Sequence, residues 1–435
     1  MMLIKGKKLN IFKTLRHDQK EAVGLLQIGT FLEYFDLMLY VHLSVLLNEL
    51  FFPKTDQRIA ALLAAFAFCS TYVFRPIGAL MFGYIGDHIG RKSAIIISTT
   101  MMAVSCFFMS ILPTYAEVGL FASFAMITCR ILQSFSATGE VIGAEIYLSE
   151  LLPPPASYQL VSWVSELCTL GSLVALLVTS LIFKCNANWR AVFILGGMIA
   201  VSGAVARRRL RETPAFLRAQ ANKHKENRQK EKVSRKTSLA YFFIYSGFPL
   251  CFYIIFIYCA DFLKYSMHYT PEQIVDHNLF LTISSFIVGI SIILLAKKFH
   301  PLKILKLRAL ASSAVLLIMP LLPLTDIYAL TTVQLLLTVF SLGTIPTIPI
   351  FFKYFPVQRR FTYSSVLYAI SRAITYVVTS FGVVYLTNLL GSYGIWVIAF
   401  PISIGFLWGV DHFSKLEEGF TYEDSSVSPA MPLAG

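Results

Sequence analysis

The stretch that decides the fold is GYIGDHIGRK, residues 83–92, set between two long apolar segments. Its spacing is Gly83-x-x-x-Asp87-x-x-Gly90-Arg91-Lys92. Glycines without a Cβ permit a tight turn and a close approach of helices. One acid and two bases sit where a chain would leave a lipid bilayer, a place where lysine and arginine mark the cytoplasmic side.

Working outward, the segments on both sides are long and continuously apolar. The 435-residue chain is 56% hydrophobic and 14% charged, with a mean hydropathy of +0.66. A soluble chain of this size needs far more polar surface. About twelve stretches are long enough to cross a membrane, each needing about 20 apolar residues. They fall near 22–47, 58–82, 93–112, 118–148, 159–183, 189–206, 239–263, 274–296, 304–323, 326–350, 362–388 and 392–412. Backbone polar groups in lipid must be satisfied internally, so these are helices; a β-barrel would show short alternating segments instead.

The formal net charge is +13. The bases do not spread over one soluble face, so nucleic acid is not expected as a partner. They gather in alternate connections: Arg91 and Lys92, then Lys297, Lys298, Lys303, Lys306 and Arg308, then Lys353, Arg359 and Arg360. The connections near 48–57, 113–117 and 325–326 are poor in bases. This asymmetry puts the N-terminus (1–21) and the tail (413–435) in the cytoplasm, and anionic lipid headgroups suffice as partners for the charge. The first apolar run is too long for a cleavable signal and reads as an uncleaved first helix. The longest polar connection, 207–238, opens RRRLRETPAF and separates a first half (22–206) from a second half (239–412). A short amphipathic helix is expected at its start, on the membrane surface. The expectation is an all-α membrane protein of about twelve transmembrane helices in two pseudo-symmetric halves of six, acting as a monomer.

Ionisable groups within spans are costly and are functional candidates by default. Glu33 and Asp36 lie three apart on one face of the first helix, and Glu33 is about 17 Å deep at 1.5 Å per residue. Arg130 lies about 18 Å from the outer end of the fourth helix, with Gln133, Glu140 and Glu145 further along. A carboxylate on one helix and a guanidinium on the other can neutralise each other. The Asp36–Arg130 pairing is either a fixed structural ion pair or one that a proton and a substrate carboxylate compete for. Glu145 is either intramembrane or interfacial, Arg75 is expected to snorkel toward headgroups, and Arg372 either meets a substrate carboxylate or has a structural partner. Tyr34, Phe35 and Tyr40 are either interfacial aromatics or a cradle for an ammonium group. The seven cysteines show neither metal-ligand spacing nor a disulfide framework, so no cofactor or metal is expected. No nucleophile constellation or phosphate loop is present, so an enzyme is not expected.

Several stretches in order, GTFLEYFDLMLY, FRPIGALMFGYIGDHIGRK, LPTYAEVG, CRILQSFSATGEVIGAEIYLSE, NWR and LRETPAF, resemble the metabolite:proton symporter branch of the major facilitator superfamily, and most of all its proline/betaine carriers. The resemblance covers nearly all of the first half. It implies the major facilitator fold and a proton-coupled symporter for a small zwitterion or organic acid in a bacterial inner membrane. It places Glu33, Asp36, Arg130 and Glu140 in substrate and proton handling, and Gly83, Asp87, Gly90, Arg91 and Lys92 in a gating loop. In that scheme, protonation of Glu33 and Asp36 frees Arg130 for the substrate. Two alternatives stay open: uptake of a dicarboxylate or tricarboxylate such as 2-oxoglutarate or citrate, and a transport-inactive membrane sensor. The second half departs from the pattern. Its counterpart of the signature loop reads AKKFHPLKILK and lacks the aspartate and both glycines.

Overall fold

The computed structural model describes residues 15–52, 72–185, 188–222, 233–322 and 326–426. In the first half the helices are α1 (His17–Phe51), α2 (Arg75–His88), α3 (Arg91–Ile111), α4 (Leu120–Leu151), α5 (Ala156–Lys184) and α6 (Trp189–Arg207). In the second they are α7 (Arg235–Tyr253), α8 (Pro271–Leu295), α9 (Pro301–Ile318), α10 (Ile327–Val339), α11 (Arg360–Val377) and α12 (Gly394–Ser426). Helices α7 and α11 run on through π-helical turns at Ile254–Tyr258 and Val378–Val383. Among the described residues, nine helical stretches are long and apolar enough to cross a membrane. The span expected at 58–82 falls partly on residues outside the described set.

The surface explains the medium. On α3, Ile97, Val104, Phe108 and Ile111 are exposed, whereas Ser98, Thr99 and Ser105 are buried. Large apolar side chains point out and small polar ones point in, the reverse of a helix on a water-soluble protein. Small inward residues let helices approach closely, which drives association where lipid removes the hydrophobic incentive. A Cβ on Gly171 of α5 would strike the carbonyl oxygen of Phe31 on α1, and one on Gly78 of α2 would come within 2.8 Å of the Phe135 backbone on α4.

Within the first half, α1 packs on α5, and α3 packs on α4 and α6; within the second, α7 packs on α11 and α12. The halves meet where α2 packs along α11 and α5 along α8.

One expected span is corrected. The segment 326–350 is not a continuous helix: α10 ends at Val339 and helix resumes only at Ile348–Lys353. The break, residues 340–347, holds Pro346, which lacks an N–H and pushes the preceding residue out of helical conformation, and Pro349 falls in the first turn of the resumed helix, where a missing N–H costs nothing. Thirteen residues span about 20 Å, short of the ~30 Å apolar core. Arg308 fills the break, donating to the Ile345 carbonyl at 3.0 Å and to Ser341 Oγ at 2.9 Å. Irregular backbone at such depth persists only where protein groups satisfy it. Arg308, expected in a cytoplasmic connection, is thus buried inside α9.

The packing account is tested by two glycines. Gly171→Val should destabilise the purified protein by about 1–3 kcal/mol through overpacking. Gly24→Ala, where an added Cβ meets nothing within 4 Å, should be neutral or stabilising by up to about 1 kcal/mol. Thermal denaturation in detergent reads both; equal losses would remove close α1–α5 packing as the cause.

Candidate functional site

The signature loop joins the halves. Asp87 ends α2, and its two oxygens accept the backbone N–H groups of Phe361 (3.0 Å) and Thr362 (2.9 Å) in the first turn of α11. Those amides have no partner within their own helix, and the helix N-terminus carries partial positive charge. Asp87 therefore caps a helix of the opposite half. Burial raises its carboxyl above the usual range, against the pull of Arg91 and the Thr362 and Phe361 amides. Gly83 and Gly86 make the approach possible, because a Cβ would lie 2.8 Å from the Thr362 Cα at the first and collide with the Phe361 ring at the second.

Arg91 has no solvent exposure. Its guanidinium pairs with Asp87 (3.2 Å) and Glu150 (3.2 Å), and donates to the carbonyls of Gly86 and Val357, both at 2.5 Å. Glu150, at the end of α4, also pairs with Arg360 of α11 at 2.9 Å and accepts from Thr213 Oγ1 at 2.6 Å. Gly90 has φ +140°, in the region that favours glycine, and a Cβ there would strike the Glu212 carboxylate. Glu212 in turn accepts from the N–H groups of Arg91 (3.1 Å) and Lys92 (3.2 Å), capping α3 from the connection that follows α6. Lys92 reaches the Arg208 carbonyl at 2.8 Å. The short helix expected near this connection spans Pro214–Asn222, with Phe216 buried under Arg91. The composition around the loop marked Asp87 and Arg91; Glu150, Glu212 and Arg360 were not singled out, since nothing in their local sequence separates them from interfacial charge.

Deeper in the first half lies a second polar cluster. Glu33 of α1 accepts from Ser136 Oγ of α4 at 3.1 Å. Glu140 of α4 accepts from Thr99 Oγ1 at 2.6 Å and Ser98 Oγ at 3.3 Å, and forms an ion pair with Arg207. Arg207, read as the first residue of the cytoplasmic connection, is the last residue of α6 and is turned inward, 1% exposed. A Cβ on Gly29 would collide with its guanidinium. The signal was its place directly after the apolar run 189–206, masked by the basic residues that follow.

Asp36 and Arg130 are not paired. Asp36 is 1% exposed, neither carboxylate oxygen has a hydrogen-bond partner among the described residues, and it faces Gly196 of α6. Arg130 instead donates to Gln133 at 2.8 Å, one turn along its own helix, and lies 3.9 Å over the Tyr40 ring. Gln133 passes the chain on to Cys106 at 3.7 Å. The local i,i+3 partner and the ring take up the guanidinium without a carboxylate, and its Nε has no partner among the described residues. Arg372 of α11 sits apart from these groups, 4.6 Å from the Tyr368 ring and 4.8 Å from Phe248. Arg75 does not snorkel: it is 4% exposed and lies 4.6 Å over Tyr72. Glu145 is buried, accepting only a long bond from Ser165 at 3.4 Å. Among the described residues no group of three potential ligands could hold a metal ion.

Comparison with known proteins places this arrangement. Residues 24–241 match the family described as sugar (and other) transporter. The chain is 26% identical over 287 residues to a proline/betaine transporter of Salmonella typhimurium, covering 62% of this chain and 57% of that one. It is likewise 26% identical over 273 residues to a glycine betaine/proline/ectoine/pipecolic acid transporter of Dickeya dadantii, covering 58% and 54%. The chain thus spans less than two thirds of these relatives' length. In fold it is similar to the proton:xylose symporter XylE bound to 6-bromo-6-deoxy-D-glucose, with a TM-score of 0.76 at 14% identity over 90% of this chain and 94% of that one. It is also similar to FucP in the outward conformation, with a TM-score of 0.71 at 13% identity over 91% and 99%. From the matched family model, this chain belongs to the sugar (and other) transporter family, and its fold is that of solved major facilitator superfamily transporters.

Proposed function

We propose that the chain is a proton-coupled symporter that moves a small carboxylate-bearing solute by alternating access. Its architecture is two halves of about six spans each, joined by the connection 207–238. A bacterial inner membrane with both termini cytoplasmic fits the basic connections, and the relatives' names support a zwitterion of the proline/glycine betaine class as cargo. The observation that carries this reading is the latch between halves. Asp87, Arg91, Glu150 and Arg360 hold α2 and α4 to α11 through polar bonds, beside the apolar packing of Phe361 against Gly86 and Gly143. Such bonds exchange one set of partners for another at small net cost, as a rocking motion needs. Breaking one by mutation strands a buried charge, at about 3–5 kcal/mol.

Proton coupling is assigned to Asp36, with Glu33 and Glu140 held by Arg207, Ser98, Thr99 and Ser136. A buried carboxylate with no donor on either oxygen is where gain or loss of a proton changes the local energy most. The release of Arg130 from an Asp36 pair plays no part in this scheme, because that pair is not made.

Two outcomes are expected. In proteoliposomes with an inward proton gradient, Asp36→Asn should abolish protonophore-sensitive accumulation of labelled proline, glycine betaine, 2-oxoglutarate or citrate while leaving downhill exchange. A variant that still concentrates the solute would remove Asp36 from coupling. In a background with the native cysteines replaced, Ser365→Cys probes the latch, since Ser365 is buried and donates to the Ala79 carbonyl across the halves at 3.2 Å. Adding Asp87→Ala should raise its rate of maleimide labelling from the cytoplasmic face about tenfold or more, the factor that 1.4 kcal/mol supplies. An unchanged rate would mean the halves are held together elsewhere.

A further inference from the structure

Among the described residues, the buried arginines find oxygen acceptors with one exception, Arg75, and the half-buried Arg372 lacks one as well. Arg91 and Arg207 have carboxylates, Arg308 has a carbonyl and a hydroxyl, and Arg130 has the Gln133 amide oxygen. Arg75 and Arg372 make no hydrogen bond or ion pair to any described residue; an unpartnered Nε is common to Arg130, Arg207 and Arg308 as well, but those three bond through their Nη atoms and these two do not. Among the described residues they lie against ring faces: Tyr72 under Arg75, and Tyr368 and Phe248 around Arg372. A guanidinium largely withdrawn from water and without an oxygen acceptor is an incomplete site.

The two residues belong to one locus between the halves. Arg75 is on α2 and Arg372 on α11, the helices that pack along each other. Tyr72 beside Arg75 touches Tyr376, one turn beyond Arg372, with ring centroids 4.1 Å apart. Glu33 and Glu140 are committed to the cluster around Arg207. The locus therefore holds two guanidiniums, neither with a carboxylate partner among the described residues.

The ring faces decide what that charge is for. A quaternary or secondary ammonium needs open aromatic faces. Here Tyr40, Tyr72, Tyr368 and Phe248 already carry the protein's own guanidiniums. We infer that Arg75 and Arg372 form a two-armed anion site between the halves, and that the solute it takes is a small dicarboxylate, each carboxylate accepting from one guanidinium. The planar N–H fork matches a carboxylate in geometry as well as charge. This rests on the reading of the chain as a transporter that binds its solute between the halves. It departs from the zwitterions named for the relatives.

The test uses the full-length protein, first purified in detergent and then in proteoliposomes. Succinate, 2-oxoglutarate and adipate are the dianionic probes, butyrate is the monoanion, and proline and glycine betaine are the zwitterions. At least one dianion should raise the thermal midpoint and bind about tenfold or more tightly than butyrate and than either zwitterion. Arg75→Gln and Arg372→Gln should each erase most of that dianion-over-monoanion preference, a ratio that a general loss of fold would not change selectively. If a variant fails to fold, the preference of the unaltered protein decides alone. Tighter binding of proline or glycine betaine, no binding by any of the dianions, or a preference untouched in both variants would overturn the inference. A dianion that binds with this preference but is never accumulated in proteoliposomes would leave the site standing and remove the transport reading. Accumulation of a zwitterion without dianion binding would do the reverse.

Discussion

A buried guanidinium must be surrounded by oxygen, and Arg91 is where that demand organises the molecule. Fully enclosed, it takes a carboxylate from its own loop, another from the end of α4, and a carbonyl from each half. Those four acceptors fix the end of α2, the start of α3, the end of α4 and the approach to α11 at one point. The position of Asp87 against the first turn of α11 follows from the same anchoring, since Arg91 holds its oxygen at 3.2 Å while the α11 amides take the rest. The glycines around the loop are the steric condition for this arrangement, and the charges are its energy.

The same demand separates the interior into two kinds of polar site. Around Arg207 the charges are balanced within the first half: Glu140 pairs with it, and serine and threonine hydroxyls of α3 and α4 fill the remaining acceptor positions of Glu140 and Glu33. Between the halves the balance is missing, because Arg75 and Arg372 rest on rings alone. A closed network favours one arrangement, whereas an open one waits for an outside group. The second kind lies where α2 and α11 must part if the halves rock.

Much of the fold was legible in the sequence because lipid makes a simple demand. Long apolar runs must be helices, and Gly83, Asp87, Gly90 and Arg91 mark the turn between two of them. The broken α10 was hidden because its flanks are apolar enough to pass as one span; the prolines at 346 and 349 were the readable sign. The site was less legible. Depth along a helix places Glu33, Asp36 and Arg130 at similar levels, but depth does not give the azimuth that decides partners. Arg130 found Gln133 three residues along its own helix before any acid on α1. Arg207 was read as part of a basic loop because a run of arginines conceals the one that turns inward.

The stretch after α6 was named a connection, yet its bonds describe something else. Arg207 holds Glu140, the Arg208 carbonyl receives Lys92, the Arg211 carbonyl receives Tyr147, Glu212 seals the start of α3, and Thr213 donates to Glu150. Each of these is a tie to the first half. The seam between the two moving bodies, taken as the place where mechanical continuity gives out, therefore lies beyond Thr213 and not at the end of the sixth span. Seven residues that look like a tether are ballast carried by one side, and any motion of the halves hinges downstream of them.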